Sequence, residues 1–580
     1  MDVELLLARA DDSLPTLETG LSHDAVTTAL RAGTVKAQWY RNESDEPNDL
    51  PAQRWGIVAP EGGEGDRLLA LIEPLRKARE EGQGGHPARI YRVPSKMSAS
   101  DAIKWKREVY WDETIAEADL PWYLLVLGDF DSVSFELQRA LGNDTFVGRL
   151  AFRTDGDYSA YVDKVLRWEQ RASLAPAARQ LFYTVRDGSA ATTIGYSALM
   201  SPSLDRCRES RAAGTFPAAE ILEIDGTQGS IDSLLSQAAA ADPSVLFSMS
   251  HGLGAPRGGW SSVAEQLATQ GAMSLGFGQR LTGDDLKNKP FLPGGMWFFF
   301  ACFSAGTPSE SAYHHWLAQL RDAGHFGGRL DSVLKSLPAA GDRPFVAALP
   351  QAALANPDGP LAVIGHVDLA WSYSFQDLGK TATNRPSRFV GIFRSLVNGS
   401  RAGVAHRELL RFLSQTNHEL STVLDEEASA EACGAPLPDE VGRKVRKANL
   451  WMLRQDLSGY ILLGDPAAQL PIRQRKGASE AGVQAVVAKP EEGKPPPASV
   501  SAAVPEGARG EVQQTLATAG GAPAIAPTAD EIEEAVMAVF TGELAEEQIA
   551  ATHGVAVSEL RRWVTAYKKG GRDAVSRLKG

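Results

Sequence analysis

Cysteine is scarce: Cys207, Cys302 and Cys433 are the only ones, and they are widely spaced. Neither a disulfide framework nor a CxxC metal site can be assembled from them, which leaves a thiol kept for reactivity as the expectation for one of the three. Long apolar runs are missing too. The most apolar stretch, MWFFFACF at 296–303, is strand-length and far short of the roughly 20 residues that cross a bilayer as a helix. The opening, MDVELLLARADDSLPTLETG, sets acidic residues around one short apolar run and has no basic n-region or long h-region, so an intracellular, cytoplasmic protein is expected. Positive charge is in deficit. With 59 Lys plus Arg against 72 Asp plus Glu the net charge is -13, which argues against broad attraction to nucleic acid or an anionic membrane. HExxH, CxxC and dense acidic clusters are all absent, and no metal or cofactor is expected.

What is present is a long alternation of strands and helices. A chain of 580 residues exceeds what one core supports, so several domains are expected. Residues 1–48 show little periodicity. From there WGIVAP, an apolar-periodic helix, RIYRVP, a second helix and WYLLVLGDFDSV read as βαβαβ, a parallel sheet covered on both faces. This first α/β subdomain is placed at 49–145. The pattern resumes with the helix DYSAYVDKVLRWEQRASL, then six strand candidates in QLFYTVRD, AEILEIDG, SVLFSMSHG, MWFFFACFSAG, FVAALPQAAL and LAVIGHVDLAWSYSF. They are expected to form a second sheet in a subdomain spanning 146–473, with helices around 389–417 and 437–455 and a close on YILLGDPAAQLPI. Residues 474–528, rich in Ala, Pro, Gly, Glu and Ser, read as a disordered linker. Residues 529–580 read as three short helices with a Gly-containing turn.

Two neighbouring strand candidates each run into a residue suited to acyl transfer: SVLFSMS into His251-Gly252, and MWFFFA into Cys302. Ligands in open α/β sheets bind beyond the carboxyl ends of the strands, so parallel neighbours would bring both to one rim. There the imidazole takes the thiol proton or stabilises the thiolate. Taken alone, a cysteine in WFFFACF is ordinarily a buried, inert small hydrophobe; the pairing with His251 is what points to function. The backbone N–H groups of Gly252 and Cys302 are the candidate donors to an oxyanion, and Ser304-Ala305-Gly306-Thr307 leave room for a substrate chain. Asp187, just after a strand, is the candidate acid to orient the imidazole, with Asp225 a weaker one; an Asp at a strand end is also a common turn former. His366, Trp371 and Tyr373 are candidates for a wall of the substrate pocket, with plain packing the alternative for the aromatic pair. His314 and His315, adjacent on one helix and so pointing apart, read as surface residues.

These blocks resemble a known clan. SHG after a strand, followed by an apolar strand ending in ACFSAG, is similar to the His-Gly and Ala-Cys signature of caspases, CHAT-domain proteases, legumains and gingipains. An LLVLGD strand, VGRLAF before YVDKVLRWE, LAVIGH after the cysteine and a closing GDPAAQL most resemble gingipain-like peptidases, over roughly residues 50–472. The resemblance implies a caspase-haemoglobinase fold of two side-by-side, mostly parallel α/β subdomains, the second catalytic, with His251 and Cys302 as the catalytic pair and Gly252 on the oxyanion side. Gingipains are secreted, whereas no export signal is expected here, so their calcium sites and trypsin-like specificity are not carried over.

The run AEEQIAATHGVAVSELRRWVTAYKKGG resembles transposase-type helix-turn-helix segments, with Ile549, Gly554, Val557, Leu560 and Trp563 at the expected spacing. Its acidic residues roughly cancel Arg561, Arg562, Lys568, Lys569 and Arg572, whereas phosphate binding wants a positive excess. Docking on a protein partner is therefore expected ahead of DNA. By analogy with bacterial caspase-like proteins the resemblance implies one protein target, such as a neighbouring gasdermin-like effector, in antiphage defence or programmed cell death. Two other readings stay open: a catalytically silent caspase-like scaffold, and a protease-linked DNA-binding regulator.

Overall fold

The computed structural model describes residues 2–17, 20–22, 46–171, 175–227, 231–324, 329–338, 341–378, 382–433, 437, 440–473, 550 and 555–564. Ten strands form one sheet: β1 Trp55–Pro60, β2 Arg89–Val93, β3 Tyr123–Leu127, β4 Phe146–Leu150, β5 Arg179–Thr184, β6 Ile221–Ile224, β7 Ser244–Met249, β8 Met296–Phe300, β9 Ala362–His366 and β10 Tyr460–Gly464. Their order is β2-β1-β3-β4-β10-β9-β8-β7-β5-β6. Every neighbouring pair is parallel except β9 with β10. The molecule is thus α/β, with two mostly parallel units side by side. The units do not have separate sheets: β10, late in the sequence, pairs with β4 on one side and β9 on the other.

Helices cover both faces, which is why the strands read as continuous apolar runs rather than alternating ones. Successive residues of β8 feed opposite cores, as the pleat requires. Met296, Phe298 and Phe300 join one cluster with Phe389 and Phe393 of the helix Ser387–Val397. Trp297 and Phe299 join the other with Tyr161 and Val165 of the helix Asp155–Gln170. That helix begins on Thr154, whose hydroxyl accepts from the Asp157 N–H, the side-chain cap expected of Thr at this position.

Two expectations are corrected. FVAALPQAAL is not a sheet strand: Phe345–Val346 make a short antiparallel pair with Gly306–Thr307, and Ala348–Ala355 is a helix. Apart from Val346 the run lacks β-branched residues, its Ala and Leu favour helix, and Pro350 sits in the first turn where no intrahelical N–H is needed. Secondly, the expected second sheet does not stand apart: Phe146–Leu150, which opens the subdomain placed at 146–473, pairs with β3 on one side and β10 on the other.

Among the described residues no helix is long and apolar enough to cross a membrane. Residues 557–564 form a short helix in which Leu560 and Trp563 are buried, with Trp563 Nε1 donating to Glu559 at 3.0 Å. Ile549 and Gly554, the linker at 474–528, and most of the expected helix-turn-helix lie outside the described residues.

Candidate active site

The strand register explains why two residues 51 positions apart in sequence arrive at one place. In β7 and β8, Met249 is level with Phe300, and His251 and Cys302 each follow two residues later. Both emerge at the carboxyl edge of adjacent parallel strands. Gly252 then packs on the Cys302 backbone so closely that an added Cβ would lie 1.8 Å from the Cys302 carbonyl oxygen. Only glycine permits that approach.

His251 and Cys302 are completely buried. His251 Nε2 lies 2.9 Å from Ser189 Oγ and 3.6 Å from Asp187 Oδ2. Asp187 Oδ1 accepts from the Ser189 N–H at 3.0 Å and from Thr192 Oγ1 at 2.7 Å. Asp187 and Ser189 thus form one polar platform under the imidazole, and Ser189 also caps the helix Ala190–Gly195. On the other side of the ring, Nδ1 is buried with no hydrogen-bond partner among the described residues. With the proton on Nε2, Nδ1 is a free acceptor. Burial, outweighing the attraction of Asp187, holds the imidazole below its ordinary pKa and therefore neutral near pH 7. Burial would raise Asp187, but His251 and the Thr192 and Ser189 hydrogen bonds outweigh it and hold the carboxyl below its usual range.

The Cys302 thiol is pushed well above its ordinary pKa, chiefly by burial, against the N–H of Ala370 and with the charges of Asp368 and Asp456 adding to the rise. Its sulfur accepts from the Ala370 N–H at 3.3 Å and lies 3.6 Å from the Ala370 carbonyl. A neutral thiol of this kind needs a base at the moment of attack. Phe303 immediately after it has φ 55°, and Asp368 opposite has φ 100°. Phe303 N–H donates to the Asp368 carbonyl at 2.8 Å, so this sparsely populated backbone is held in place by a direct bond.

Both candidate oxyanion donors already have an acceptor. Gly252 N–H donates to the Leu6 carbonyl oxygen at 2.9 Å, and Cys302 N–H reaches the same oxygen at 3.4 Å. Sequence reading gave residues 1–48 no role here, because a run of three leucines among acidic residues has no periodicity to place it.

Of the expected pocket wall, His366 is corrected. It is completely buried, with Nδ1 3.2 Å from the Asp368 carbonyl and Nε2 2.9 Å from the Asp456 carbonyl. Burial opposes its charge, yet the hydrogen bonds and charge of Asp456 raise its pKa above the ordinary value. It is an internal tie between β9 and the end of the helix Glu440–Ser458. Trp371 and Tyr373 are buried as well, but the Trp371 backbone pairs antiparallel with Leu5. Ser189 was not singled out by sequence; the Asp-Gly-Ser-x-x-Thr turn-and-cap pattern was the available signal. Asp225 is not part of this cluster and accepts from its neighbour Thr227. His314 and His315 are exposed, and among the described residues no group of His, Cys, Asp or Glu is arranged to hold a metal ion.

No family model and no curated protein matches the chain. Three solved structures do, each at 12% identity: one described as a protease (TM-score 0.40, 72% of this chain and 78% of that one), the Arg-specific cysteine proteinase gingipain R (0.37, 73% and 80%), and a complex of the pro- and mature domains of Porphyromonas gingivalis RgpB (0.39, 72% and 80%). Likenesses of this size assign no activity, and the site's own geometry has to carry the functional reading.

Proposed function

We propose that the chain is a cysteine endopeptidase in which Cys302 is the nucleophile and His251 its proton partner. The observation that carries this reading is the convergence of two backbone N–H groups, from Gly252 and Cys302, on a single peptide carbonyl oxygen beside a cysteine and a histidine. Such a pair is what a tetrahedral intermediate requires for its developing charge. His251 Nδ1 accepts the thiol proton as sulfur attacks the carbonyl carbon, forming the S–C bond. The imidazolium returns the proton to the departing amine as the C–N bond breaks, and water then hydrolyses the thioester. Asp187 and Ser189 act as positioning residues, occupying the Nε2 face and leaving Nδ1 as the open acceptor. A caspase-like or gingipain-like subtype, a single protein target in defence or cell death, and a docking role for residues 529–580 belong to the same proposal and rest on the sequence resemblance alone.

The test is covalent labelling with peptidyl electrophiles, mapped by mass spectrometry. A thioether at Cys302 that forms about 10²–10⁴-fold more slowly in His251→Ala is expected, the usual range for losing a general base. Cys433 is exposed and Cys207 buried with its thiol pushed up to about 12, so simple alkylation of Cys433 is no evidence either way. Indifference of Cys302 labelling to His251 would sink the reading.

A further inference from the structure

The carbonyl held by Gly252 and Cys302 belongs to a strand laid through the site. Leu7–Arg9 pairs parallel with Gly252–Gly254, Leu7 level with Gly252, and forms the edge of a four-stranded sheet continued by Met273–Gly276 and Gln279–Leu281. On the other side of the carbonyl, Leu5 pairs antiparallel with Trp371. A peptide is therefore gripped by its backbone both before and after one carbonyl, the way an extended ligand adds to a sheet edge. Leu5, Leu6 and Leu7 are exposed by only 1%, 2% and 0%. They are members of the apolar cluster that also holds Cys302, Phe303, Tyr313 and Trp371.

We propose that Leu5–Arg9 occupies this chain's own substrate cleft as a substrate-like strand with Leu6 on the acyl side, so that the peptides the site takes carry leucine there and enter only when this strap leaves. The inference rests on the peptidase reading above and adds the substrate class and the means of holding the site shut. An arginine or aspartate in the place of Leu6 would bring a charge to a position that is 2% exposed, which is unfavourable without a buried partner. The strap is fastened from outside the cleft: Arg257 pairs with Asp12 at 2.8 Å, Arg280 Nη1 donates to the Ala10 carbonyl at 3.1 Å, and Ser274 Oγ donates to the Ser13 carbonyl at 3.1 Å. Asp12 is also held by Arg9 at 2.9 Å. The Arg257–Asp12 pair is partly exposed at the turn, so loosening it frees the strap without altering the reacting side chains.

Full-length wild type, Leu6→Asp and Asp12→Lys proteins are compared with peptidyl acyloxymethyl ketones carrying Leu, Arg or Asp next to the reactive group, and with iodoacetamide, following the Cys302 adduct. The Leu probe is expected to react about tenfold or more faster than the Arg and Asp probes, the scale on which a pocket discriminates. Leu6→Asp and Asp12→Lys are each expected to raise the labelling rate several-fold over wild type. Asp12→Lys changes a turn contact rather than a buried residue, so it serves where Leu6→Asp fails to fold. A new amino terminus at Leu7 in the incubated wild-type chain, absent in Cys302→Ala, also supports the proposal, since the strap is then cut as a substrate. No preference for leucine, or no acceleration in a folded strap variant, while iodoacetamide still labels Cys302 in a His251-dependent way, overturns the proposal and leaves the peptidase reading standing. Labelling of Cys302 that ignores His251 in every variant removes both.

Discussion

At the scale of single residues the site is a set of groups held in their neutral or anionic forms by opposite means. His251 is kept neutral by burial, and Asp187 is kept charged by its partners despite burial. Both pKa values are depressed in the folded chain, so the unfolded chain binds protons more readily and stability from these groups is lost as pH falls. For His251 the window opens below its ordinary value near 6.5 and extends through the lowered folded value; the Asp187 window lies below 3.8. Urea unfolding of wild type and His251→Gln from pH 7 to pH 5 should show the stability difference shifting against the wild type as pH drops. A difference that stays constant over that range would mean His251 titrates alike folded and unfolded. Asp368, pushed up to about 6 by burial against its hydrogen bonds to Ser311 and Leu369, titrates with the opposite sign. The comparison with a single variant cancels it.

At the scale of elements, the short strand Gly252–Gly254 separates two functions by two residues. At Gly252 an added Cβ meets the Cys302 carbonyl at 1.8 Å, which is backbone and cannot swing away; at Gly254 it meets Leu7 Cδ1 at 2.6 Å and Ser336 Oγ at 3.0 Å, both side-chain atoms. Gly252→Ala is therefore expected to cost about 1–3 kcal/mol, the usual range for overpacking, and to slow Cys302 labelling by displacing an oxyanion donor. Gly254→Ala presses on the strap and on the Ser336 side chain, not on the Cys302 backbone, and should cost less while raising the labelling rate. Thermal melting and adduct formation on the two proteins distinguish them; equal effects on both readouts would refute the division.

At the scale of the whole molecule, the two units are locked through β10 and the turn after it. Asp465, completely buried, accepts from Arg79 Nε at 2.6 Å, from Trp55 Nε1 at 3.0 Å and from its neighbour Ala467 N–H at 3.0 Å. Arg79, itself 5% exposed at its side chain, also pairs with Glu169. The closing GDPAAQL segment thus fastens the helix Glu73–Gly82 and β1 to the strand that joins both halves of the sheet. Removing one member of a buried pair leaves the other charge uncompensated, so Asp465→Ala should cost about 3–5 kcal/mol in urea unfolding. A loss below about 1 kcal/mol would show that the lock lies elsewhere.

Several parts of the fold and of the site follow from local pattern along the chain. Strands β1, β3, β7 and β8 are legible because burial on both faces makes their residues uniformly apolar, and His251 and Cys302 are legible as neighbours because each follows such a strand at a similar distance. The first turn after β5, with Asp187 beside Ser189, is half legible: the residues suit a turn, and only proximity to His251 distinguishes them from any other strand end. What the tertiary structure alone decided depends on pairing between distant segments. No local pattern says that β10 joins β4 to β9, or that His366 turns inward to Asp456. Least legible of all is the place of Leu5–Arg9. Three leucines in an acidic stretch have no periodicity, and their position is set by an open strand edge at Gly252–Gly254 and by two amide groups, from Gly252 and Cys302, that need an acceptor once the site is closed to water.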